Sequence, residues 1–163
     1  MNTYYTCIES PLGPLLLVSD GRSLTGLYME GQRHGPAIGP GWIRRDDDPL
    51  FTEARRQLAD YFAGALAKFD LPVAPSGTPF QRRVWEELRR IPYGATVSYG
   101  EIAARLGNPG AARAVGLANA RNPIGVVIPC HRVCGAGGSL HGYSGGIARK
   151  EALLALEAAG TKT

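Results

Sequence analysis

The stretch Leu71-Pro72-Val73-Ala74-Pro75-Ser76-Gly77-Thr78 most constrains what this chain can fold into. Two prolines and a glycine without apolar periodicity rule out a helix there and read as a connection. The stretch divides the 163 residues into halves of different pattern. Short β-like runs dominate before it, and helical periodicity dominates after it. The reading is α+β, with a first domain over residues 1–76 and a second, mostly helical, over residues 77–163.

In the first half, residues 3–8 and 13–19 are apolar or alternating runs around Ser10-Pro11-Leu12-Gly13-Pro14, the pattern of a hairpin. Leu24 to Met29 adds a third strand, and the Gly/Pro-rich residues 31–41 read as a loop. A helix is expected over Pro49 to Ala63, with Phe51, Ala54, Leu58, Tyr61 and Phe62 at helical spacing. In the second half, Thr78 is placed to cap a helix over Pro79 to Arg90, whose apolar face holds Phe80, Val84 and Leu88, flanked by Trp85. Ile91-Pro92-Tyr93-Gly94 ends it. Ser98 to Gly107 reads as a short helix with a Ser98/Glu101 capping box. Asn108-Pro109-Gly110 turns the chain into another helix, from Ala111 to about Ala120. The last helix is expected over Ile147 to Ala159.

Two short helices around a glycine-bearing turn suggest a helix-turn-helix. The charge distribution agrees. Residues 1–76 carry seven Lys/Arg against nine Asp/Glu, whereas residues 77–163 carry eleven against five. A basic second half favours a polyanionic partner, nucleic acid first. At about 100° per residue, Ala111, Ala114, Val115 and Ala118 share the face expected to be buried. Arg113 then projects from the other side, beside Ala112 and Gly116. A mid-helix glycine costs about 1 kcal/mol relative to alanine. Gly116 therefore serves either close approach to a groove or tight helix–helix packing.

Val126-Val127-Ile128-Pro129-Cys130-His131 reads as a strand end presenting a thiol and an imidazole. The other cysteines, Cys7 and Cys134, make an odd, sparse set without a CxxC, unlike a disulfide framework or a zinc site. No metal or cofactor is expected. No run of apolar residues is long enough to span a bilayer and no secretory signal is visible, so the expected location is cytoplasmic. A thiol needs a base to become a nucleophile, and the base needs a partner to fix its tautomer. His131 is the candidate base. Glu157, lying between Leu153 and Leu154 on the wheel of the last helix, is its candidate partner, because a carboxylate in an apolar arc needs pairing. A structural imidazole and an exposed carboxylate at a helix end are the competing readings. Asn122 can brace the turn before the thiol. Tyr143 and Ser144, in Gly142-Tyr143-Ser144-Gly145-Gly146, can wall a pocket or belong to a plain connector.

Taken in order, Ser98-Tyr99-Gly100-Glu101-Ile102-Ala103, Ala112-Arg113-Ala114-Val115-Gly116, Asn122-Pro123, Pro129-Cys130-His131-Arg132-Val133 and Gly142-Tyr143-Ser144-Gly145-Gly146 resemble the O6-alkylguanine-DNA alkyltransferases. The likeness covers about Thr78 to Glu157. The first half, with Ser10 to Pro14 and Leu58-Ala59-Asp60-Tyr61-Phe62, looks like that family's ribonuclease-H-like domain. The resemblance implies a winged helix-turn-helix-like element in the second domain. It implies single-turnover repair of O6-methylguanine, and less efficiently O4-methylthymine, in duplex DNA bound through the minor groove. Cys130 would be the sacrificial acceptor, with His131 and Glu157 behind it. Tyr99 would protonate the leaving guanine and help rotate the nucleotide outward. Arg113 would fill the vacated stack, Asn122 would brace the hinge, and Gly100 and Asn108 would touch the DNA backbone. Tyr143 and Ser144 would line the guanine pocket near Lys150, and the carbonyls of Cys130 and Val133 would accept from the guanine amino group. A monomer is implied, with cooperativity on DNA open. The chain lacks the zinc set of some relatives and a regulatory alkyl-acceptor domain, and Cys134 adds a second thiol nearby. A non-catalytic sensor of alkylated DNA and a cysteine hydrolase are the alternatives from other classes.

Overall fold

The computed structural model describes residues 2–140 and 142–160. Four strands, β1 (Tyr4–Ile8), β2 (Leu15–Ser19), β3 (Leu24–Met29) and β4 (Ile43–Arg44), form one sheet in the order β3-β2-β1-β4. The β1–β2 hairpin is antiparallel, from Tyr4 opposite Ser19 to Ile8 opposite Leu15. Its turn closes where Gly13, at φ 96°, donates to the Ser10 carbonyl at 2.9 Å. The two-residue β4, parallel to β1, is absent from the sequence reading because it is too short to carry a period.

Helix α1 (Pro49–Phe62) starts where the Asp48 carboxylate accepts from the Leu50 N–H at 2.9 Å. It buries Phe51, Ala54, Gln57, Leu58 and Tyr61. Gln57 is polar yet buried because it exchanges two hydrogen bonds with the Asp70 backbone, at 2.8 and 2.9 Å. These bonds lead the chain into residues 71–78, which are not a loose tether. Leu24 N–H donates to the Pro72 carbonyl and Ala74 N–H to the Leu24 carbonyl, so the connection covers the outer edge of β3.

Helix α2 (Pro79–Arg89) has the expected Thr78 cap, completed as a capping box by Gln81. It buries Val84, Trp85 and Leu88. Trp85 Nε1 donates to the Ala118 carbonyl at 2.9 Å and so pins the helix opposite. The helix pair is α3 (Tyr99–Arg105), with the Ser98/Glu101 capping box, and α4 (Ala112–Ala120). Between them Gly107 takes φ 77° and Pro109–Ala111 makes a 3-10 turn. The buried stripe of α4 is Val115, Ala118 and Asn119, while Ala114 is exposed and Ala111 only partly covered. The docking of Ala118 on Trp85 and the bond from Asn119 to the Cys130 carbonyl turn the helix toward Asn119, so Val115 and Ala118 of the expected face are buried while Ala111 and Ala114 are not. The two-residue strands β5 (Val97–Ser98) and β6 (Val133–Cys134) pair in parallel, and α5 (Ile147–Gly160) closes the chain.

The apolar run before Cys130 is a correction. It is not a strand. Only Ile124 makes a bridge, to Leu27 of β3. Val127 N–H bonds to the Gly125 carbonyl across Val126, which sits at φ 68°. Cys130 N–H bonds to the Ile128 carbonyl across Pro129 at φ −81°, ψ 66°, an inverse γ-turn. Asn122 supplies what a sheet would otherwise supply. Its Nδ2 donates to the Ile128 carbonyl at 2.8 Å and its Oδ1 accepts from Ile124 N–H at 3.0 Å. Burial of Val126, Val127 and Ile128 satisfies the apolar run in tight turns as well as a strand would.

Candidate active site and nucleic-acid face

These turns deliver Cys130 as the first residue of a 3-10 turn, Cys130–Arg132, under the α3–α4 pair. The thiol residue is 2% exposed. Burial pushes the thiol up from its ordinary value, opposed by a hydrogen bond from Asn122 and the charge of Lys150. Lys150 is itself fully buried. Its Nζ donates to the Val133 carbonyl and lies 5.9 Å from the centre of the Tyr143 ring. The Cys130 carbonyl accepts from the Val133 N–H and from Asn119 Nδ2 at 3.3 Å. Both carbonyls implied as guanine acceptors therefore already hold protein donors. All three cysteines are free; Cys130 and Cys134 are buried and unbridged, and Cys7 is exposed.

Behind the thiol stands a buried charged cluster. His131 Nε2 lies 2.6 Å from Glu157 Oε2. Arg132 grips both carboxylate oxygens, Nε to Oε1 at 2.8 Å and Nη2 to Oε2 at 3.0 Å, and its Nη1 donates to the Ile91 carbonyl at 2.8 Å. Tyr61 Oη donates to Oε2 at 2.5 Å, and Gly94 N–H to Oε1 at 3.2 Å. Burial pushes the Glu157 carboxyl up, but the bonds from His131 and Arg132 outweigh it and hold the acid well below the carboxylate range. His131 is pulled down by burial against the pull of Glu157, so the imidazole is neutral. With Glu157 ionised, Nε2 carries the hydrogen and Nδ1 presents a lone pair. Nδ1 makes no hydrogen bond among the described residues, so it is the nitrogen left to take a proton.

Tyr99 opens α3, half-buried. Burial, and then the nearby Cys130 and Cys134, push its phenol up, while a hydrogen bond with the Asn119 side chain pulls it down. Tyr143 is buried, and its phenol is raised by burial and then by Cys130. Ser144 lies on the rim, its carbonyl accepting from Arg33 N–H at 2.9 Å, which ties the 31–41 loop to the pocket loop.

The structure thus gathers Cys130, His131, Glu157, Asn122, Val133, Tyr143, Lys150 and Tyr99 inside. Gly100, Asn108 and Arg113 are exposed, and Arg113 and Gly100 flank a shallow groove with Ser98, Tyr99 and Ala112. Sequence reasoning missed Arg132, Asn119 and Tyr61. The requirement for a full countercharge to a buried carboxylate could have found Arg132. Asn119 is one helical turn before Asn122. Tyr61 carries no local signal. Among the described residues no cluster of three His, Cys, Asp or Glu could hold a metal ion, and no helix is long and apolar enough to cross a membrane.

Fold and site define a class: a two-part protein that holds a buried thiol, Cys130, beneath a helix-turn-helix pair, backed by a carboxylate-held imidazole. The family models for 6-O-methylguanine DNA methyltransferase match in order, the ribonuclease-like domain at residues 3–75 and the DNA binding domain at residues 79–159. The chain is similar to the methylated-DNA–protein-cysteine methyltransferase of Methanosarcina acetivorans, 51% identical over 94% of this chain and 97% of that one. It is 54% identical to the protein of that name from Mycobacterium tuberculosis, over 94% and 92%. Among solved structures, Mycobacterium tuberculosis OGT in complex with DNA superposes with a TM-score of 0.88 at 52% identity, covering 96% of this chain and 94% of that one. The chain belongs to the 6-O-methylguanine DNA methyltransferase family.

Proposed function

We propose that this chain repairs alkylated duplex DNA by moving the alkyl group of O6-methylguanine onto Cys130, once per molecule. The observation that carries the reading is the Nε2–Glu157 bond, which leaves Nδ1 of the adjoining His131 as the acceptor for the thiol proton. The Cys130 thiolate attacks the alkyl carbon; an S–C bond forms as the C–O6 bond breaks. The thiol proton goes to His131, directly or through water, and is released to solvent. Tyr99, kept protonated by burial, donates to guanine N3 so that the base leaves neutral, and recovers its proton from solvent. A thiol residue only 2% exposed is reached by a nucleotide rotated out of the stack. Arg113, on the small-residue face of α4, replaces it through the minor groove. Gly100 and Asn108 meet the DNA backbone, Asn122 braces the hinge, and Tyr143 and Ser144 line the pocket.

The carbonyl of Val133 keeps a second lone pair for the guanine amino group beside Lys150. O4-methylthymine is the poorer substrate because it lacks that amino group. The protein is read as a cytoplasmic monomer of two domains, 1–76 and 77–163, acting without a cofactor.

Intact mass after mixing with an O6-methylguanine duplex tests the reading. A gain of one methylene unit on the peptide holding Cys130 is expected, with Cys130→Ser binding the duplex but gaining nothing. Lesion binding without any adduct in the native chain would make it a sensor and overturn the reading.

A further inference from the structure

We infer that the first half of the chain supplies a positioning residue for the alkyl transfer: Tyr61, on α1, fixes the orientation of Glu157 and through it the acceptor nitrogen of His131. The inference rests on the reading of Cys130 as the alkyl acceptor.

Oε2 of Glu157 is the oxygen that matters, because it faces His131 Nε2 at 2.6 Å. Three donors converge on it: His131, Arg132 Nη2 at 3.0 Å and Tyr61 Oη at 2.5 Å. His131 and Arg132 come from the thiol's own turn, so they move with it. Gly94, on Oε1, belongs to the connection after α2. Tyr61 alone comes from the other half, 96 residues away in sequence. It therefore anchors the carboxylate to a frame independent of the turn that reacts. Its own direction is set by packing. The ring is fully buried, 5.4 Å from Phe62, 5.2 Å from Phe69 and 6.2 Å from Tyr93, centre to centre.

Hydrogen bonds to an ionised acceptor are the strong ones, and they are directional. Burial, then the charge of Glu157 and the bond to it, keep the phenol protonated, so it stays a donor throughout the working pH range. The groups facing Glu157 are Tyr61 from α1, Tyr93 from the α2 connection, and His131 and Arg132 from the 3-10 turn; Lys150 of α5 acts on His131. Removing the Tyr61 hydroxyl takes away a donor that holds the Glu157 carboxyl down. With one donor fewer on Oε2, the carboxylate pulls harder on His131, so the imidazole protonates at higher pH and stops accepting the thiol proton sooner on acidification.

The test is single-turnover transfer from an O6-methylguanine duplex to the full-length chain, followed against pH. Tyr61→Phe, which keeps the ring, is expected to slow transfer about tenfold at neutral pH, the scale of one charge-assisted hydrogen bond. Its acid limb should move to higher pH, with duplex affinity unchanged. Phe51→Leu loosens the core side of the same helix without touching the Tyr61 ring or its hydroxyl. It should lower stability and leave the rate of folded protein and the limb in place. If Tyr61→Phe folds poorly, 3-fluorotyrosine at position 61 decides, since it keeps the shape and strengthens the donor; its limb should move to lower pH. An unmoved limb in Tyr61→Phe or in the fluorinated chain overturns the inference, as does an equal shift in Phe51→Leu. Absence of transfer by the native chain overturns the proposed function instead.

Discussion

Glu157 is 1% exposed and ionised, which a lone carboxylate at that depth would not be. The neutral imidazole of His131 offers one hydrogen bond and no countercharge. Arg132 supplies the charge in bidentate form and gives a third donor to the Ile91 carbonyl. Removing one partner of a buried pair leaves the other uncompensated, at a cost of about 3–5 kcal/mol. Arg132→Ala should lower stability on that scale in urea unfolding at neutral pH. The pH dependence has a definite sign. In the native chain the Glu157 carboxyl lies far below its unfolded value of about 4.3, so its contribution is complete above that value and fades as pH falls. Without Arg132 the folded value rises toward the unfolded one, so less stability remains to be lost on acidification and the acid dependence flattens. An unchanged acid profile would mean that other donors hold the charge. At this scale the sequence shows part of the site. An acid among leucines on the last helix demands a partner, and His131 is a sound first choice. The guanidinium one residue further on completes the cluster only once the fold has turned it inward.

Helix α4 shows where element-level reading succeeds and where it fails. Its existence and its exposed Arg113 follow from spacing. Its rotation does not, because Asn119 is buried to bond the Cys130 carbonyl, a requirement outside the helix. The same limit applies to residues 126–129, where an apolar run has no period to separate a strand from buried turns. Gly116 can now be judged. A Cβ there would meet only the Tyr99 ring, at 3.9 Å, an ordinary contact. Helix–helix packing therefore does not require glycine. Gly116→Ala should stabilise the free protein by about 0.5–1 kcal/mol through helix propensity. It should also weaken binding to duplex DNA while leaving reaction with a free O6-alkylguanine base unchanged. Urea unfolding and a duplex titration read the two effects. An unchanged duplex affinity would place the DNA elsewhere than against this face.

The change of pattern at residues 76–77 is legible, but the seam between the halves is not, since long-range polar contacts leave no local signature. β3 bonds to both sides of it. Leu24 exchanges two backbone bonds with residues 72 and 74, and Leu27 exchanges two with residues 123 and 125. Tyr61 adds the bond to Glu157, and Arg33 the bond to Ser144. The seam also shares one apolar core, in which Leu27, Tyr61, Val84 and Ile124 are all buried. Opening it would take the Tyr61 donor from Glu157 and expose that core, so neither half can unfold without removing support from the other. Unfolding should therefore be a single transition. The two tryptophans allow a direct check, Trp42 in the first half and Trp85 buried in the second. In urea at neutral pH, the fluorescence of Trp42→Phe, which reports Trp85, should superpose on that of Trp85→Phe, once each is scaled to its own far-ultraviolet dichroism midpoint. Fluorescence leading or trailing dichroism in either variant would show halves that fold independently, and the seam would then be a contact rather than a shared core.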